Sequence, residues 1–186
     1  RPGNILLDVL YEDNHYNQVI QVPIKSPFIE LDDKPMFVTI PSVNDILGEK
    51  LTAFAPNTSG IPYRKGANDC NLEIIKQLYD IGCLFDSMND LLTVARVELS
   101  YRKMEENPKL SLKDTIETAL CISTRGKEGK GDFAALQNGV SRLRSFMYLG
   151  KYQIEQAIVD ASKAAYLARL IQTSANTFER YDNSIQ

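Results

Sequence analysis

From Leu72 almost to the last residue, apolar side chains recur at helical spacing, while strand-like patterning is confined to the stretch before Pro41. That asymmetry limits the fold more than any single motif. Three short strands bury too little surface to stand alone, so they need covering helices or more sheet. The expected class is α+β: the remnant of a mixed sheet, about two to three strands, followed by about five to six helices. Two domains are expected, a sheet domain with its first helix over 1–56 and a helical domain over 57–186.

Asn4–Tyr11 (NILLDVLY) reads as a first strand and Glu12-Asp13-Asn14 as a turn. Asn17–Lys25, with Pro23 marking an edge or bulge, would complete a hairpin, and Met36–Ile40 is a third strand. The chain opens on Arg1-Pro2-Gly3 without a methionine and enters strand patterning at once, so more sheet is expected upstream. Ser42 or Asn44 caps a helix whose apolar face is Val43, Ile46, Leu47, Leu51 and Phe54, and Pro56 ends it. Asn57–Asn68 reads as loop throughout. Further helices are expected from Asn71, over Asp90–Met104, and over Ser111–Ser123, with Ser111 at the cap and Asp114 in the first turn. Arg125–Gly131 reads as a mobile linker. Asp132–Tyr148 and Gln153–Ile171 would close the chain as an antiparallel helix pair.

Composition excludes several classes. With 21 basic against 24 acidic side chains the net charge is -3, which rules out a histone-like surface while leaving room for a local basic patch. No apolar run approaches the ~20 residues of a membrane span, so no membrane role is expected. Cys70, Cys83 and Cys121 form no CxxC pair, and the single histidine, His15, gives them no zinc partner. They read as thiols of a reducing compartment, consistent with a cytoplasmic protein. There is no P-loop, dinucleotide fingerprint, hydrolase elbow or DNA-binding motif.

Three places carry chemistry. Asp8 sits mid-strand between Leu7 and Val9; it either faces solvent or acts as a magnesium ligand beside acids of neighbouring strands. Asp45 and Glu49 share a face of their helix, and Lys50 beside them reads as a phosphate contact or as a surface lysine. Asp80, in the apolar helix LEIIKQLYDIGCLFD, needs a partner, and Lys50 or Lys76 is the natural one. Arg64 and Lys65 beside Tyr63 make a small cationic cluster suited to phosphate or base. Arg125, Lys127 and Lys130 could touch a polyanion, whereas Arg142 and Arg144 read as solvated.

The segment Leu47-Gly48-Glu49-Lys50-Leu51-Thr52-Ala53, followed by Lys76-Gln77-Leu78-Tyr79-Asp80-Ile81, resembles the two helical motifs of the AbiEii/AbiGii nucleotidyltransferases. These are the toxin halves of type IV toxin–antitoxin and phage-defence systems. The resemblance covers about the first 90 residues. It implies a polymerase-β-like nucleotidyltransferase fold that binds magnesium and a nucleoside triphosphate. It further implies transfer of a nucleotide to an RNA, often transfer RNA, or to a protein hydroxyl, and a cognate antitoxin as partner. Asp8 would be the third carboxylate and a metal ligand, Lys50 the triphosphate contact and Asp80 the later acid, with Lys76, Arg64 and Lys65 as further nucleotide contacts.

Two departures accompany the resemblance. No Gly-Ser dipeptide occurs, so the family's main metal-binding element is missing from these residues, and Lys76-Gln77 stands where the family has Arg-Asp. This chain alone is therefore expected to be inactive. The competing reading is a non-catalytic helical module, a degenerate transferase that contacts a partner protein or nucleic acid.

Overall fold

The computed structural model describes residues 9, 11, 16–25, 34–102, 108–147 and 150–179. The fold is α+β, with two small sheets and six α-helices among these residues. Strand β1 (Val19–Pro23) pairs antiparallel with β2 (Phe37–Pro41), Ile20 opposite Ile40 and Val22 opposite Val38. Of the expected first strand only Val9 and Tyr11 are described, both exposed and neither in a strand. The pairing described for Asn17–Lys25 is thus with the third expected strand.

Helix α1 (Val43–Ala53) starts where Ser42 accepts a bond from the Asp45 amide. The alternative cap, Asn44, does a different job. Its side chain accepts from the Asn89 and Asp90 amides and donates to Asn89 Oδ1. Those contacts fix the entry to α3 (Leu91–Arg102), where Asp90 caps the amides of Leu92 and Thr93. The bonds from Thr93 and Leu92 hold the Asp90 carboxyl below its ordinary value.

Residues 57–68 are not loop throughout. β3 (Arg64–Lys65) and β4 (Asn68–Asp69) form a minimal hairpin around Gly66 at φ +60. A tight two-residue turn needs that left-handed conformation, which glycine adopts without a Cβ penalty. Helix α2 (Asn71–Ser87) begins as expected. Helix α4 (Pro108–Ser123) does not begin at Ser111: Pro108 is its first residue, a position where its missing N–H costs nothing. Ser111 lies buried one turn inside the helix.

Arg125–Gly131 is a folded turn rather than an open linker. The Gly126 amide donates to Cys121 O, the Lys130 amide to Glu117 O and the Glu128 amide to Thr124 Oγ1. Helices α5 (Phe133–Leu143) and α6 (Ile154–Gln172) do not form an antiparallel pair. α5 packs on the N-terminal part of α2, whereas α6 packs on α4 and on α2 farther along, at Gly82. The connection from Leu143 to Ile154 is long enough to let each helix find its own apolar partner.

One hydrophobic cluster runs through every helix, from Leu47, Leu51 and Phe54 through Ile75, Leu78 and Ile81 to Ala161, Ala164 and Leu167. Three helix crossings pass over glycines. A Cβ on Gly48 would stand 2.7 Å from Val94 O, and one on Gly139 would stand 2.7 Å from Ile75 Cγ1. One on Gly82 would collide with the Asp160 carboxylate. No helix among the described residues is long and apolar enough to cross a membrane.

Asp160 cannot move aside, because it is buried and accepts bonds from Tyr152 Oη at 2.9 Å and Gln156 Nε2 at 3.1 Å. Replacing Gly82 by Ala is therefore expected to cost about 1–3 kcal/mol by overpacking. Urea denaturation checks this, and a wild-type midpoint would show that α2 and α6 are not locked at this crossing.

Candidate functional site

The apolar face of α1 positions the site. Leu47, Leu51 and Phe54 are fully buried, and Lys50 lies three residues after Leu47, at the border of that face. Its aliphatic stem packs along the protein and its ammonium emerges at the α1–α2 seam. On α2, Leu78 and Ile81 are fully buried, which places Asp80 at the same seam. Lys50 Nζ lies 3.1 Å from Asp80 Oδ2, with the side chains 25% and 39% exposed. Of the two partners expected for Asp80, the structure selects Lys50. Lys76 instead holds its ammonium 4.8 Å from the centre of the Phe146 ring.

Glu49, one residue earlier, points about 100° away around the helix and accepts a bond from Tyr16 Oη at 2.8 Å. Asp45 is on the same face, as its spacing from Glu49 predicts, but its setting differs. It is fully buried and accepts from the Asn17 amide at 2.6 Å, the Gln18 amide at 3.2 Å and the Ser42 hydroxyl. Asp45 therefore ties the chain entering β1 to α1 and offers nothing to a ligand.

Tyr79 flanks Asp80 and stacks edge-on against Tyr152 with ring centres 5.3 Å apart. Its hydroxyl is pushed above its ordinary value, first by a hydrogen bond with Cys83 and then by burial. Tyr63 anchors the segment carrying Arg64 and Lys65. Its hydroxyl accepts from the Asp132 amide at 3.2 Å, and burial pushes its pKa up to about 12. Arg64 and Lys65 are exposed on β3. Asp8 lies outside the described residues, as does His15.

Sequence reasoning missed Asp114, taken for a first-turn residue. It is buried in α4 and accepts from the Asn57 amide at 2.8 Å, Asn57 Nδ2 at 2.6 Å and the Thr58 hydroxyl at 3.0 Å. It pins the start of the segment that leads to Lys65. Its signal was an acid four residues before Thr118, whose hydroxyl also bonds it. Arg142, expected to be solvated, pairs with Asp69, and Arg125 pairs with Glu155 at 3.1 Å.

Among the described residues no group of three or more His, Cys, Asp or Glu side chains could hold a metal ion. The donors at the seam do not fit magnesium, because Asp80 faces an ammonium and Glu49 accepts a phenol. Lys50 has three N–H donors, and one bond to Asp80 leaves two free to turn outward.

A family model described as "Nucleotidyl transferase AbiEii toxin, Type IV TA system" matches residues 1–146 of the 186. No curated protein and no solved structure matches the chain.

The exposure of the Lys50–Asp80 pair limits its structural value to about 0.2–1 kcal/mol. Lys50→Ala should stay within that range in denaturant titrations. Asp45→Ala, which strands two backbone amides, should cost roughly 2–4 kcal/mol. Equal losses would mean that the pair is a structural strut.

Proposed function

Because the chain belongs to the AbiEii family of nucleotidyltransferase toxins from type IV toxin–antitoxin systems, we propose that the α1–α2 seam is its triphosphate site. Lys50 contacts the triphosphate of a bound nucleotide, and Asp80 positions the ammonium. Lys76, Arg64 and Lys65 add positive charge, and Asp8 supplies a carboxylate toward magnesium. In the reaction, an acceptor hydroxyl bonds to the α-phosphorus, the bond to the β-phosphate breaks, and pyrophosphate leaves with that electron pair. The hydroxyl proton passes to solvent or a base. The acceptor is an RNA, of transfer-RNA type, or a protein, and a cognate antitoxin restrains the activity. The sheet-bearing segment 1–56 and the helical segment 57–186 each contribute one member of the Lys50–Asp80 pair.

The observation supporting this reading is the 3.1 Å contact that joins the two helices bearing the family-like motifs. A half-exposed ion pair that adds little stability is better explained as a poised ligand contact than as a fold element. The metal-binding element that a Gly-Ser motif would introduce is not in these residues, and no transfer is expected from this chain by itself.

The test is titration of the chain with the four nucleoside triphosphates, with and without magnesium. Lys50→Ala should weaken binding at least about tenfold, or about 1.4 kcal/mol, with little change in stability. Unchanged affinity removes Lys50 from the site and favours the non-catalytic module.

A further inference from the structure

The Lys50–Asp80 pair is partly exposed and worth at most about 1 kcal/mol, too little to hold α1 and α2 in register by itself. A slide of α2 by one residue's rise, about 1.5 Å, would stretch the 3.1 Å contact past hydrogen-bond length. The register must therefore be set elsewhere, and the contacts that α6 makes on α2 identify where. We propose that α6, with Tyr152 leading into it, is the positioning element of the seam. Through Tyr152, Asp160 and Lys163 it fixes the register of α2 and so brings Asp80 to Lys50. α6 begins at Ile154, beyond the residues 1–146 that the family model matches. The consequence for a ligand rests on Lys50 being the triphosphate contact, whereas the effect on the pair itself does not.

The first support is location. Tyr152 meets Tyr79 edge-on, the Asp160 carboxylate lies against Gly82, and Lys163 reaches Asp86, in the same order along both segments. Asp80 lies inside that span, next to Tyr79 and two residues before Gly82. Lys163 Nζ donates to Gly82 O at 3.1 Å and to Asp86 Oδ2 at 2.8 Å, so it grips backbone and side chain together.

The second is chemistry. An apolar contact would join two helices as strongly, and burying a carboxylate is costly unless its oxygens are satisfied. Asp160 is nonetheless buried here, accepting from Tyr152 Oη at 2.9 Å and Gln156 Nε2 at 3.1 Å. What such groups add over apolar packing is direction: each bond forms in one arrangement only.

The third is that neighbouring registers are closed. Residues four apart share a helix face. One turn to either side of Gly82, the residue opposite Asp160 would be Leu78 or Asp86, a bulky apolar chain or a like charge. Only glycine leaves room for the carboxylate, since a Cβ at position 82 would overlap it. A one-turn slip also takes Gly82 O and Asp86 away from the Lys163 ammonium.

Carbodiimide coupling of the full chain tests this, because it joins an amine to a carboxylate only where the two are in contact. Proteolysis and mass spectrometry then read the Lys50–Asp80 adduct, which the wild-type chain should give. Lys163→Met keeps an apolar stem of similar length but loses both bonds to α2, and should lower the adduct severalfold. Lys163→Arg can donate to the same two acceptors and should restore it, which a general loss of packing would not allow. Tyr152→Phe keeps the ring on Tyr79 and removes a donor to Asp160; it should lower the adduct too, and serves should Lys163→Met misfold. No adduct in the wild type, or an adduct undiminished in both Lys163→Met and Tyr152→Phe, overturns the role of α6. So does a Lys163→Arg yield as low as that of Lys163→Met. Affinity for inorganic tripolyphosphate, measured on the same proteins, separates the two readings. Parallel loss of adduct and affinity supports both, whereas loss of adduct with unchanged affinity upholds α6 as the positioning element and removes Lys50 from the ligand site.

Discussion

The placement of the site depends on helices that approach more closely than side chains normally permit. Glycine inside a helix costs roughly 1 kcal/mol relative to alanine, and here three such positions, Gly48, Gly82 and Gly139, lie at crossings where a Cβ would overlap a neighbouring helix. The close contacts offset that cost and fix the distances between axes. α1 is pressed onto α3, while α2 packs against both α5 and α6. With both helices immobilised from behind, the faces they turn to each other meet at a defined register, and Lys50 reaches Asp80.

Buried acids do the remaining positioning. Asp45, Asp114 and Asp160 are each no more than 6% exposed, and each accepts bonds from neutral donors. A buried carboxylate is costly unless its oxygens are satisfied, so these three also specify which segments must meet them. Asp45 gathers the entry to β1, Asp114 gathers residues 57–58, and Asp160 gathers Tyr152 beneath α2. For Asp160, burial outweighs the bonds from Tyr152 and Gln156, and its carboxyl is held above the ordinary value. Its folded-state pKa being raised, its contribution to stability is fully present below the ordinary carboxyl value and is lost as pH rises through the raised one.

Much of this was legible from spacing. Ser42, Asn71 and the apolar faces of α1 and α2 follow from capping and periodicity, and an aspartate inside an apolar helix identified Asp80 as needing a cation. What stayed hidden required long-range contacts. Ser111 looks like a cap, but a proline three residues earlier can open a helix just as well. Residues 125–131 look like a linker because glycine and lysine mark mobility and tight packing equally. The pairing of α5 with α6 fails as an expectation because α5 has its apolar partner in α2 and α6 has its own chiefly in α4. Asp45 and Glu49 share a face, yet burial separates a structural acid from an accessible one, and no local pattern reports burial.

That separation explains how one turn of α1 does two tasks. Successive residues on a helix point about 100° apart. Lys50 therefore turns toward α2 and its aspartate, while Glu49 turns toward Tyr16. Leu51 follows, buried, and fixes the rotation of the turn. Rotating α1 enough to free Lys50 from Asp80 would also withdraw Leu51 and Leu47 from the core and pull Asp45 from the amides it satisfies. The geometry around Lys50 is thus held by residues that never touch it.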